Sequence, residues 1–593
     1  MEQSSIQNKR ARGAHPATRR KLVMGEVIGS MEPENIHAWR GIPYATAPVG
    51  ALRWRAPRAA APWQGVREAL AHGPIAPQYA GLLAPLPKRI HGQIVGDEDC
   101  LHLNVFAPPW LPEEVPQGTE RRPVMVWIHG GGNAVGTSAS YDAIRNLAAR
   151  DGLVVVTVNY RLGVLGWFRH PDLAEADDAT QEERSGNFGT LDLILALQWV
   201  RQNIAAFGGE PDCVTIFGES AGGQNVLTLL ASPLAAGLFH RAIAQSPVTE
   251  TFSETQASYA TNAPLESHRT SAREVENRLR RRFGGPAAGT ARATADWLRS
   301  LTPNQLLSVF RPGTAGIYLA PRPVRDGVVL PREPLSEVFR SGRWNRVPVI
   351  LGNNRDEYRT FLADKPEHVH LLPGGLPLLR DRAAYLTESG FLSQAWQAMH
   401  VDGSADAMLV GGHAQVWTYR FDWDEVLALP FVRPDLLLGA AHGMEMAFPF
   451  RDIAGELDVF KINTPFNRTA RSALAHAMGD AWTSFARTGH PALPDGTAWL
   501  ARTLDSGRSL IWDSPAAGGW RMAEVRQEID QLKHALHTTP ELQDGTARCR
   551  VYARTFLWNP LFAGHGDEAE YARWCTEFGC HLPATAFRPS VEV

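Results

Sequence analysis

The chain reads as an α/β protein with a mainly parallel central sheet flanked by helices, and two observations predict it. Residues 124–129 (VMVWIH) and 153–160 (LVVVTVNY) are near-continuous apolar runs, the pattern of strands buried on both faces. Further strand-like runs alternate with stretches of helical periodicity, which implies a mainly parallel sheet.

Taken in order, the start of the chain is rich in Gln, Ser and Ala and carries Lys9, Arg10, Arg12, Arg19, Arg20 and Lys21 without apolar periodicity. Residues 1–20 therefore read as a disordered, solvated leader. Residues 190–207 form a helix with Leu193, Leu197, Val200 and Ile204 on one face, stopped by Gly208, Gly209 and Pro211. A strand follows at 213–217 (CVTIF), then a helix over 221–230 and strands at 240–245 and 347–351. Residues 251–345 read as a helical, loop-rich cap insertion whose arginines at 278–282 mark a solvated face. Residues 360–415 read as irregular, rich in Leu, Gly and Pro, and placed to cover a pocket. A long helix spans 470–487, ending at Gly489 and Pro491. Composition changes near 536, so the catalytic domain is set at 21–535. Residues 536–593, with Trp558, Phe562, Trp574 and Phe578, form a C-terminal extension without an evident role.

Bulk properties narrow the function. Lys and Arg number 59 against 62 Asp and Glu, a net charge of -3, which disfavours a nucleic-acid partner. No apolar run reaches the length of a membrane span, and 153–168 is interrupted by Asn159 and Arg161. Five cysteines, an odd and sparse set, do not read as a disulfide framework, so a cytoplasmic location is expected. Cys575 and Cys580 leave two readings open, a metal pair or a redox pair, although no metal or cofactor is expected.

Two motifs carry chemistry. Gly218-Glu219-Ser220-Ala221-Gly222 follows the strand CVTIF and precedes a helix. In that context the small glycines allow a sharp turn that exposes the Ser220 hydroxyl, the nucleophile elbow of the α/β-hydrolase fold. His129-Gly130-Gly131-Gly132 closes the strand VMVWIH and suits a loop that presents backbone N–H groups to an oxyanion. No Gly-Lys-Ser/Thr follows, which argues against a phosphate cradle.

Together with 40–45 (RGIPYA), 98–106 (EDCLHLNVF), 159–163 (NYRLG) and 196–222, these motifs make the chain resemble the type-B carboxylesterase and cholinesterase family over roughly residues 22 to 530. The resemblance implies the α/β-hydrolase fold with helical cap insertions and a serine carboxylic-ester hydrolase acting through an acyl-enzyme. It identifies Glu357, in 351–357 (LGNNRDE), as the acid and His442, in 439–445 (GAAHGME), as the base. The spacing of His442 and Glu445 by itself also allows a metal pair. By the same likeness, Gly131, Gly132 and Ala221 supply the oxyanion donors. Glu219, Ser246 and Glu445 match a polar network beside the triad, or serve as ordinary buried hydrogen-bonding residues.

The chain also departs from the family. No cysteine precedes Cys100, so the family's usual disulfide there is absent and Cys100 is expected free. Pro247 and Tyr358 stand where glycine is common, and Pro247 is placed to reshape the acyl pocket. Phe361 matches a gorge-lining position. Loop 72–97 has Tyr79 as its one aromatic, so the tryptophan that holds choline in cholinesterases has no counterpart. Small to medium esters are the expected substrates. A lipase, a carbamate hydrolase, a detoxifying esterase for a bulky ester and a non-catalytic binding module are the alternatives.

Overall fold

The computed structural model describes residues 13–588 apart from short stretches at 84–85, 176–178, 260–268, 287–289, 314, 373–375, 427–432, 459–460, 560 and 563. An 11-stranded sheet organises the chain. Its strands are β1 (Ser30–Glu32), β2 (Ile36–Pro43), β3 (His102–Ala107), β4 (Arg122–Ile128), β5 (Val154–Val158), β6 (Gly209–Glu219), β7 (Arg241–Gln245), β8 (Val349–Asn354), β9 (Val416–Phe421), β10 (Arg508–Trp512) and β11 (Arg521–Glu524). In space the order is β11-β10-β9-β8-β7-β6-β4-β5-β3-β2-β1. Pairing is parallel from β5 through β4, β6, β7, β8 and β9 to β10. It is antiparallel at both edges. The expected α/β-hydrolase architecture is therefore present.

The near-continuous apolar strands follow from burial on both faces. Side chains alternate across a strand. Val124, Val126 and Ile128 of β4 pack with helices α1 (Phe188–Asn203) and α2 (Ala221–Ala231). Met125 and Trp127 point the other way, into a core built with helix α3 (Arg468–Thr488). Both sides need apolar residues, so β4 and β5 lose the polar alternation of a half-exposed strand.

Three expectations about the flanks change. Residues 1–12 of the expected leader lie outside the described residues, but 13–20 pack on the domain. Thr18 is buried with its hydroxyl on the His15 and Gly29 carbonyls, and the buried Arg20 reaches the Trp110 carbonyl. Much of 360–415 is helical: Arg382–Trp396 runs through a widened turn at Gln397–Asp402 into Gly403–Val410. The boundary at 535/536 falls inside a helix, Ile529–Thr538. Leu532 and Leu536 of that helix share one apolar cluster with Tyr385, Trp396, Tyr552, Phe562 and Trp574. The C-terminal extension thus shares a core with the wall of the site below.

Candidate active site

The carboxyl ends of adjacent parallel strands bring the site together, as open α/β sheets commonly do. β6 delivers Ser220, β7 delivers Ser246 and Pro247, and β8 leads into Glu357. Ser220 stands between β6 and α2 at φ 59, ψ -122, a left-handed conformation that costs a non-glycine residue on the order of 1–3 kcal/mol. Its N–H is fixed on the Gln245 carbonyl at 2.9 Å. The flanking glycines are sterically required. A Cβ on Gly218 would lie 2.6 Å from the Ile128 carbonyl oxygen, and one on Gly222 would collide with the same atom. A Cβ on Gly130 would come within 3.1 Å of the Ser220 Cβ.

The glycine loop after β4 is wound left-handed over three consecutive residues, Gly131 (φ 102), Gly132 (φ 65) and Asn133 (φ 55). Successive N–H groups in such a turn make an anion-binding concavity. Among the described residues, no acceptor inside the protein takes the N–H of Gly131, Gly132 or Ala221. The loop is held from behind. Asn133 accepts from Asn225 at 2.9 Å and donates to Gln224 at 3.0 Å. The Tyr160 hydroxyl donates to the His129 carbonyl at 2.6 Å, and the two rings stack at 4.5 Å. Burial lowers the His129 pKa to about 4, so that ring is a neutral prop near pH 7.

Glu357 and His442 meet as the motifs imply. His442 Nδ1 lies 2.6 Å from Glu357 Oε2. The other carboxylate oxygen of Glu357 accepts from Ser246 Oγ at 2.6 Å and from the Asn354 N–H at 2.7 Å. His442 Nε2 lies 3.1 Å from Glu219 Oε1, and Ser220 Oγ makes no hydrogen bond to a described residue. Glu445 forms a further layer. It accepts from Asn354 Nδ2 at 2.6 Å and from Gln245 Nε2 at 3.3 Å, and Trp482 donates to Gln245 at 3.1 Å. Ser246 and Glu445 are thus linked through Glu357 and Asn354, while Glu219 approaches His442 from the other side.

The charges follow from this crowding. Burial alone would lower His442, but Glu219, Glu357 and Glu445 outweigh it and raise the pKa to about 9. Burial pushes Glu219 up, to about 8, against the opposing pull of His442, because one cation faces several carboxylates. His442 and Glu219 therefore titrate as a pair, each displaced upward by its surroundings.

Phe361 and Trp396 wall His442, with ring centres 5.3 and 5.0 Å from that of its imidazole. Pro247 is buried and packs toward Gly223 of α2, where an added Cβ would sit 3.1 Å from it. Tyr358 accepts a 2.7 Å hydrogen bond from Asn559 and meets Phe562 at 5.9 Å, both from the C-terminal extension. Tyr79 is spent as a prop, its hydroxyl on the Leu307 and Phe310 carbonyls. Sequence reasoning missed Gln245, Asn354, Trp396, Trp482 and Asn559. Asn354 had a signal, since it lies inside LGNNRDE beside Glu357. Cys100 is free and buried, as expected, and Cys575 and Cys580 are also unpaired.

The comparisons with known proteins converge. The model of the carboxylesterase family matches residues 17–374. The para-nitrobenzyl esterase of Bacillus subtilis is 35% identical over 511 residues, 83% of this chain and 94% of that protein. A cocaine esterase of Oryctolagus cuniculus is 31% identical over 561 residues, 87% of this chain and 95% of its own. Among solved structures, the Geobacillus stearothermophilus carboxylesterase at pH 6.2 superposes with a TM-score of 0.65 at 29% identity, covering 87% of this chain and 99% of that one. No described helix is long and apolar enough to cross a membrane. A serine at an elbow, an adjoining His–Glu pair and a family match over more than half the chain lead to one conclusion: this protein belongs to the carboxylesterase family and is a serine carboxylic-ester hydrolase.

Proposed function

We propose that Ser220 attacks the ester carbonyl while His442 takes its proton, with Glu357 fixing the imidazole tautomer and stabilising the imidazolium. The oxyanion is received by the N–H groups of Gly131, Gly132 and Ala221, each such donor typically worth about 3–4 kcal/mol of barrier. Alcohol leaves, and water then releases the acyl group through the same histidine. The observation that carries this reading is the 2.6 Å contact of His442 Nδ1 with Glu357 beside a serine held at φ 59. The present 3.1 Å approach of Nε2 to Glu219 fits a resting state, since catalytic hydrogen bonds often tighten when substrate binds. A reducing, cytoplasmic setting belongs to the same reading, supported by five unpaired thiols.

The substrates proposed are small to medium, uncharged esters. Phe361 and Trp396 offer aromatic surface at the base, whereas Tyr79 is engaged elsewhere. Ser220→Ala is expected to lower kcat on p-nitrophenyl acetate by roughly 10⁶-fold. It should also abolish the mass increment that a fluorophosphonate leaves on the wild-type chain. Retention of most of the wild-type kcat would refute the assignment. Butyrylcholine is expected to show kcat/KM no higher than an uncharged butyrate of similar size and leaving-group pKa. A preference of about tenfold for the choline ester, some 1.4 kcal/mol, would reveal a cation site elsewhere in the pocket.

A further inference from the structure

Cys549 joins the two cysteines that the sequence singled out. It sits on the helix Gly545–Tyr552, Cys575 on the helix Glu568–Phe578, and Cys580 just past Gly579, which ends that second helix at φ 69. The three sulfur atoms lie within 4.8 Å of one another. Cys549 and Cys580 are buried, Cys575 is half-buried, and all three are free thiols. The thiols of Cys575 and Cys580 both turn to the Leu582 carbonyl, at 3.9 and 3.8 Å. The Tyr571 hydroxyl donates to the same carbonyl at 2.8 Å and lies 3.8 Å from Cys580 Sγ.

A buried cysteine is often no more than a small apolar side chain. That accounts for one such residue in a core, but not for three sulfurs from two helices and a turn facing each other. Thiols are weak hydrogen-bond partners and gain little from clustering. A thiophilic divalent cation changes the balance, because its charge stabilises the thiolates outright. Zn–S bonds of about 2.3 Å place sulfurs roughly 3.8–4.0 Å apart around one ion, a spacing these three residues reach with small side-chain movements. The other grouping of potential ligands among the described residues, His170, Asp172 and Glu276, differs in kind. Arg273 bridges both of its carboxylates and Arg280 bridges Glu276, so its charge is already neutralised.

We propose that Cys549, Cys575 and Cys580 form a three-thiolate site for a divalent cation of the Zn2+ class, which staples the C-terminal helices together. Binding replaces three thiol protons by the ion and leaves one net negative charge. Arg548, held over the Phe578 ring at 4.7 Å, supplies positive charge on the same helix pair. Three ligands leave a fourth position, which the Tyr571 oxygen or a water fills. The staple acts on the wall of the active site at one remove, because Asn559 and Phe562 lie on the chain between Cys549 and Cys575 and touch Tyr358.

The test uses the full-length enzyme, reduced, stripped of metal and titrated with Co2+ under argon. The expected result is a sulfur-to-cobalt charge-transfer absorption in the near ultraviolet that saturates at a single ion per chain. Zn2+ should displace it and raise the melting temperature. Cys549→Ser, Cys575→Ser and Cys580→Ser should each weaken binding by at least the roughly 10- to 100-fold that losing an outer-shell partner costs. Cys100→Ser and Cys213→Ser should leave it intact. If the two buried variants fail to fold, the half-buried Cys575→Ser decides, with esterase activity reporting its fold. Either of two results would overturn the proposal: no charge-transfer band in protein whose thiols titrate fully, or a band that survives in Cys575→Ser.

Discussion

The Ser220 side of the site, the proposed nucleophile side, and the His442 side, the proposed base side, are built by different means. Around Ser220 the determinants are backbone: a serine at φ 59, glycines where any Cβ would strike Ile128, and a left-handed loop from Gly131 to Asn133. Around His442 they are side chains from distant segments: Glu357, Phe361, Trp396 and, through Tyr358, Asn559. A backbone device tolerates almost no substitution but is encoded within a few residues. A packed wall is encoded across hundreds of residues and yields gradually. Damage on the nucleophile side should therefore be abrupt, and damage on the base side graded.

Gly131→Ala is the sharpest way to break this contrast. The new methyl would collide with the Val135 carbonyl oxygen at a φ that alanine avoids, displacing the oxyanion loop. Loss of one donor there is expected to lower kcat by about 10²–10³-fold, with KM little changed. Steady-state kinetics checks this, and near-normal kcat would show that the loop yields as easily as the wall.

Glu219→Gln tests the boundary between the two sides. In the proposed mechanism His442 works as a base only when neutral, so kcat/KM should rise with pH through the apparent pKa of its pair. Glu219 helps to hold His442 at about 9. Removing that carboxylate lowers the histidine pKa, so the ascending limb should move to lower pH, by about one unit. A pH–rate profile with an unmoved limb would uncouple Glu219 from the base.

Asn559→Ala should do least. It removes one 2.7 Å hydrogen bond to Tyr358, worth about 1 kcal/mol, and loosens the wall without touching the triad. A change of a fewfold in kcat/KM is expected, larger for bulky alcohol groups than for methyl or ethyl. An ester series measures it. A uniform, large loss across the series would mean that the extension holds the triad itself.

The same contrast explains what the sequence disclosed. Ser220 and the loop at 129–132 were legible because strand, turn and helix lie side by side in the chain, so the context that qualifies a short motif is local. The helix α3 was legible as a long stretch stopped by Gly489 and Pro491. Glu357 and His442 came through family likeness, since nothing intrinsic separates His442 from the other histidines. Trp396 was missed because 360–415 is rich in Leu, Gly and Pro, whereas its helix is held by tertiary packing against the extension. Asn559 was missed because its partner lies far off in sequence, Tyr358 at a separation of 201 residues, and Cys549 because only the fold of two helices and a turn brings it to Cys575 and Cys580. The leader was misread from 13 to 20 because buried polar groups such as Thr18 and Arg20 look solvated until their backbone acceptors are known.

The 201-residue span from Tyr358 to Asn559 also has a meaning in time. At about 5–20 residues per second, a ribosome needs roughly 10–40 s to make that stretch. The elbow and its glycine loop can reach their final shape while synthesis continues. The wall around His442 waits until Asn559 has been made. A nascent chain therefore carries its serine in place well before the wall around His442 closes.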